Sequence, residues 1–194
     1  GTPGDCRAEL LDRNALQLQT HSLLYMLSHV RETLAHLAQG ATSLHLRDSN
    51  IGPEGAREMA AALKTNTTLT SLLLSDNRIG AEGTREVAEA LKANTSITSL
   101  HLCYNRIGAE GAKDVAVALK INTTLTSLHL RGDHIWAEGG RRMAAALKTN
   151  TTLTSLQLSG GPHRSDHSSA TITTRPPLGR APCLPRLRSS VHRQ

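Results

Sequence analysis

The chain has 194 residues, 38% of them apolar, with no Phe, two Tyr and one Trp, which is enough for one compact domain with a core of Leu, Ile, Val, Met and Ala. Its formal net charge of +6 sits mostly at one end: from Gly160 onward Arg164, Arg175, Arg180, Arg186, Arg188 and Arg193 stand against a single acid, Asp166, and supply +5 of that total. A near-neutral body with a basic tail lacks the basic stripe along a folded face that duplex binding needs, so no nucleic-acid partner is expected.

Residues 1–41 carry apolar side chains at mixed helical spacing, among them Leu10, Leu11, Leu16, Leu18, Leu23, Leu24, Leu27, Val30, Leu34 and Leu37. Leu16 and Leu18 lie one period ahead of Leu44 and Leu46, so the stretch is expected to be a helical N-terminal cap or a degenerate repeat. From residue 42 the chain repeats itself every 28 residues: Thr-Ser-Leu-X-Leu begins at Thr42, Thr70, Thr98, Thr126 and Thr154. Each such segment alternates apolar and polar side chains, which predicts a strand with one buried face. A turn follows, and then a stripe at i, i+3, i+4 and i+7, as in Thr84, Val87, Ala88 and Leu91, which predicts a helix. The equivalent stripes are Ala56, Met59, Ala60, Leu63 and Ala112, Val115, Ala116, Leu119.

Acids at Glu54, Glu82, Glu110 and Glu138 and cations at Lys64, Lys92, Lys120 and Lys148 complement the helix dipole. Asn66, Asn94, Asn122 and Asn150 follow the helices and are expected to cap them in a left-handed conformation. One strand and one helix of this size cannot bury their apolar faces alone, so the units must stack, with parallel pairing and right-handed crossovers. Residues 42–159 therefore hold four full units plus a fifth strand. Residues 160–194, rich in Ser, Thr, Pro and Arg, read as a disordered tail. The last strand then presents an open edge, a place for self-association or for coverage by the tail or another molecule.

The unit Leu69-Thr-Ser-Leu72-Leu-Leu74-Ser-Asp-Asn77-Arg-Ile79-Gly80-Ala-Glu-Gly83, with its helix, resembles the ribonuclease-inhibitor-like class of leucine-rich repeat found in NOD-like receptors. The resemblance implies an α/β solenoid, a horseshoe with a concave parallel sheet and convex helices. It also implies a ladder of Asn side chains that bond backbone between turns, and a concave face that binds proteins. The ladder position reads Ser49, Asn77, Asn105, Asp133 and Gly161, and the turn glycine of Gly52, Gly80 and Gly108 is replaced by Trp136. The array thus departs from the pattern toward both ends.

The outward strand positions His45, Arg47, Leu73, Ser75, His101, Cys103, His129, Arg131 and Gln157 are the candidate partner-binding residues, together with the lone Trp136. His101 and His129 fall on adjacent strands roughly 5 Å apart, near Cys103, but no third ligand is arranged by spacing and no metal is expected. Arg131-Gly132-Asp133 spells the tripeptide integrins recognise, although Asp133 occupies the ladder position. Cys6, Cys103 and Cys183 show no CxxC or Cys/His spacing. No Gly-rich phosphate loop, nucleophile elbow, HExxH or carboxylate pair occurs, so neither catalysis nor a cofactor is expected.

No apolar run approaches the roughly 18 residues of a membrane span, and no secretory signal pattern opens the chain, so a cytoplasmic location is the expectation. The chain begins at Gly1 without Met, so a removed leader and a longer parent protein both stay open. The function expected is a non-enzymatic module that binds a protein partner. The same resemblance implies two alternatives, a GTPase-activating protein of the Ran-activator type and an enzyme inhibitor. Ribonuclease inhibition fits poorly, because that family member uses an acidic concave face and this one carries Arg47, Arg131 and His45, His101 and His129.

Overall fold

The computed structural model describes residues 40–159 and 169–173. The expected cap of residues 1–41 lies outside them, apart from Gly40 and Ala41. The elements alternate as β1 (Ser43–His45), α1 (Gly52–Leu63), β2 (Ser71–Leu73), α2 (Gly80–Ala93), β3 (Ser99–His101), α3 (Gly108–Leu119), β4 (Ser127–Leu130), α4 (Trp136–Leu147) and β5 (Ser155–Ser159), followed by β6 (Ser169–Thr173). Strands β1 to β5 pair in chain order, all parallel, with equivalent residues facing each other: Ser43, Ser71, Ser99, Ser127 and Ser155 share one row. That registry is what a strict 28-residue period dictates, since any slip would turn the buried leucines outward.

Leu44, Leu72, Leu100, Leu128 and Leu156 point into the core, with Leu46, Leu74, Leu102 and Leu130 two residues on. The helices close over them with the predicted stripes, all buried in α1, α2 and α3. Fully burying each such Leu, Ile or Met contributes roughly 1.5–3 kcal/mol. The helices approach closely because α2, α3 and α4 carry Gly83, Gly111 and Gly139 at the contact: a Cβ on Gly83 would stand 2.6 Å from Ile79 Cγ2 and 3.0 Å from Ala56 Cβ. In α4 the outer side of the stripe is uncovered, and Ala144 is exposed where Ala60, Ala88 and Ala116 are buried.

Three ladders tie the units. Thr70, Thr98, Thr126 and Thr154 each donate a hydroxyl to the backbone carbonyl of the Thr one unit earlier, at 2.9–3.1 Å. Asn77 and Asn105 form the implied turn ladder. Asn77 Oδ1 accepts from Ser49 N at 2.9 Å, and its Nδ2 donates to the carbonyls of Leu46 (2.6 Å) and Leu74 (2.9 Å). Asn105 repeats the pattern toward Asn77 N, Leu74 O and Leu102 O.

The third ladder corrects an expectation. Asn66, Asn94, Asn122 and Asn150 are not left-handed caps: among the described residues the left-handed non-glycine ones are Asp48, Asn50, Asp76, Arg78, Tyr104, Arg106 and His134, all in the turns after strands. Asn94 sits instead at φ −74° and ψ 132°. Its Nδ2 donates to Leu63 O and Asn66 O, and its Oδ1 accepts from Ser96 N and Ile97 N. Asn122 and Asn150 do the same one unit further on. Bridging two units satisfies more buried backbone than a local cap would.

Residues 169–173 form β6, antiparallel to β5, with Gln157 opposite Thr171 and Ser155 opposite Thr173. An edge strand with its N–H and C=O groups unpaired recruits backbone, and here the chain supplies it. Residues 169–173 lie within the stretch expected to be disordered, and their pairing with β5 is the coverage by the tail that was one of the expected outcomes for that edge. The rest of the tail lies outside the described residues.

Candidate protein-binding surface

The sheet turns one set of side chains to the core and the alternate set outward, and that outward set makes the candidate surface. Strand registry aligns His45, Leu73, His101, His129 and Gln157 in one row across β1 to β5. Two residues along, Arg47, Ser75, Cys103 and Arg131 make a second row. None of these nine is buried, while their neighbours in the core are. Trp136, the tenth candidate, is the first residue of α4; it belongs to the helical layer and does not join the rows.

Within the first row the rings of His101 and His129 stack, with centroids 4.0 Å apart and planes 11° from parallel. Ser43 Oγ and Ser127 Oγ lie 3.0 Å from Nε2 of His45 and His129. Burial lowers the pKa of His101, and the neighbouring His129 and His45 lower it further. These effects favour the neutral ring, which suits face-to-face stacking. Arg47 Nε donates to Asp76 Oδ2 at 3.1 Å in the turn after β2. Burial pushes the Cys103 thiol up, so it is a poor nucleophile.

No group of three or more His, Cys, Asp or Glu side chains among the described residues is placed to hold a metal ion. Asp133 is fully buried, so Arg131-Gly132-Asp133 does not present its acid to a partner. No helix among the described residues is long and apolar enough to cross a membrane.

The turns after the strands carry a row that the strand-based candidates leave out: Asn50, Arg78, Arg106 and His134, one per unit, at φ 50°, 55°, 61° and 52°. The signal was the 28-residue spacing itself, applied to the turn rather than to the strand. Arg78 and Arg106 are exposed.

A family model described as "Leucine Rich repeat" matches residues 42–60, 65–88 and 93–116. No curated protein matches the chain. Among solved structures, "Leiomodin-1 Actin-Binding Site 2 (ABS2)" is 30% identical over 66% of this chain and 78% of its own, with a TM-score of 0.62. The tropomodulin C-terminal domain of Caenorhabditis elegans is 14% identical over 67% of this chain and 82% of its own, with a TM-score of 0.60, a likeness of fold alone. Registered parallel strands, convex helices and a turn ladder of asparagines agree with these matches: the chain belongs to the leucine-rich repeat family, in its ribonuclease-inhibitor-like class.

Proposed function

We propose that the chain works by binding rather than by catalysis, and that its concave face, through His45, Arg47, Leu73, Ser75, His101, Cys103, His129, Arg131 and Gln157, is where a protein partner docks. The observation that carries this reading is the strand face itself, where two registered rows stand clear of the core with no packing duty. Among these residues Arg47 and Arg131 are of the type enriched in interface cores.

Actin is the partner to test first, because the 30% identical neighbour is an actin-binding site. Co-sedimentation of the purified chain with actin filaments, and capture of monomeric actin on the immobilised chain, test it directly. Binding that is lost in Arg47→Glu/Arg131→Glu supports the reading. Binding that the double reversal leaves unchanged removes the concave face, and no binding of either actin form by the unaltered chain removes actin.

A further inference from the structure

The described residues include eight arginines, and their pairing separates the two sides of the solenoid. On the helices, Arg57 pairs with Glu54 and Glu82 at 3.4 Å, Arg85 with Glu86 at 3.3 Å, and Arg141 and Arg142 with Glu138 at 3.3 and 2.8 Å. On the sheet side Arg47 pairs with Asp76. Arg78, Arg106 and Arg131 form no ion pair among the described residues. Among the described residues the helical layer neutralises its own guanidinium groups; the turn edge does not.

The backbone makes two of these three more telling. Arg78 and Arg106 follow the ladder residues Asn77 and Asn105 and sit at φ 55° and 61°, a left-handed conformation that costs a long side chain more than it costs Asn. The unit before them has Asn50 at the same place. Both arginines are exposed, so packing does not require them. The turn sets this conformation in every unit, and Arg at two exposed positions where Asn fits more easily, with no ion partner among the described residues, leaves two guanidinium groups available to a ligand.

The acids along this edge do not offset the charge. Asp48 lies at its far end in the turn after β1, Asp76 is engaged by Arg47, and Asp133 is buried. His134 continues the row beyond Arg106.

We propose that Arg78 and Arg106 form a carboxylate-recognising ridge along the turn edge of the horseshoe, and that the partner lays an acidic segment along it beside its contact with the concave face. This rests on the protein-docking reading above. Adjacent units are roughly 5 Å apart at the strands, so two guanidinium forks can take successive carboxylates of one segment, each in bidentate geometry. Two cations in a row are too few for duplex nucleic acid, whose affinity grows with each phosphate neutralised.

The test uses the whole chain and a fluorescent octaglutamate peptide, with an oligothymidylate of matched charge beside it, titrated by anisotropy at low salt. Arg78→Asn/Arg106→Asn is expected to weaken octaglutamate binding about tenfold. Arg57→Gln/Arg85→Gln on the helices is expected to leave it unchanged. The first variant should fold at least as well as the parent, since Asn tolerates the left-handed turn, and far-UV circular dichroism melts check this. Arg78→Lys/Arg106→Lys, which keeps charge but loses the fork, should bind between the two. Equal binding by the parent and Arg78→Asn/Arg106→Asn overturns the ridge, as the basic tail then accounts for capture. An equal or larger loss with oligothymidylate overturns its carboxylate preference. If actin binding is lost in Arg47→Glu/Arg131→Glu but kept in Arg78→Asn/Arg106→Asn, the ridge fails while concave docking stands.

Discussion

Replacing Asp133 by Asn alters one atom of the turn ladder, and the neighbouring units say what should follow. Asp133 Oδ1 accepts from Asn105 N at 2.5 Å, as an Asn would. Its Oδ2 is buried with no partner, at the place where Asn77 and Asn105 carry an Nδ2 that donates to two strand carbonyls. Burial, opposed by the N–H groups of Asn105, Ile107 and Arg106 and aided slightly by Asp76, raises this carboxyl from 3.8 to about 7. The unfolded chain sheds the proton near 3.8 and the folded chain near 7, so between them the folded state holds more protons. Stability is therefore full below pH 4, falls as pH rises toward 7 and is level above, a loss of about 4 kcal/mol in all.

Asp133→Asn removes that loss. It should add about 4 kcal/mol at pH 8, and much less at pH 4, where the acid is largely neutral and its burial carries little penalty. Urea unfolding followed by far-UV circular dichroism from pH 4 to pH 8 reads both profiles. If parent and variant run parallel across that range, the carboxyl is not the orphan the ladder makes it.

Other changes probe the same architecture. Asn105→Ala strips partners from Asn77 N, Leu74 O and Leu102 O, and should cost about 2–4 kcal/mol in a denaturant titration. Gly83→Ala drives a methyl group to within 2.6 Å of Ile79 and 3.0 Å of Ala56, and should cost about 1–3 kcal/mol by thermal melting. A chain ending at Ser159 uncovers the β5 edge; light scattering should show it associating more strongly with concentration than the 194-residue chain.

The fold was legible because period, alternation and helical stripe all agree: Leu72, Leu100 and Leu128 recur at one spacing, and each occupies the same buried row. What was misread depended on contacts between units. Asn94 looks like a local cap in one repeat, and only stacking shows its Nδ2 reaching back to Leu63 O. Strand β6 was hidden because its residues sit in a Ser- and Arg-rich stretch, and a non-local edge, not a local pattern, organises them. The concave rows followed from alternation alone. Arg78 and Arg106 did not, because their meaning lies in a left-handed turn and in the absence of the ion pairs that the helical arginines make.

The central claim, that the concave face carries the partner, is tested most directly by placing a photo-crosslinking amino acid at Leu73 on that face and, separately, at Val117, an exposed apolar position on the opposite, helical side. With actin as the first partner, the account predicts a crosslinked product from position 73 and none from position 117. A product from position 117 alone would contradict it.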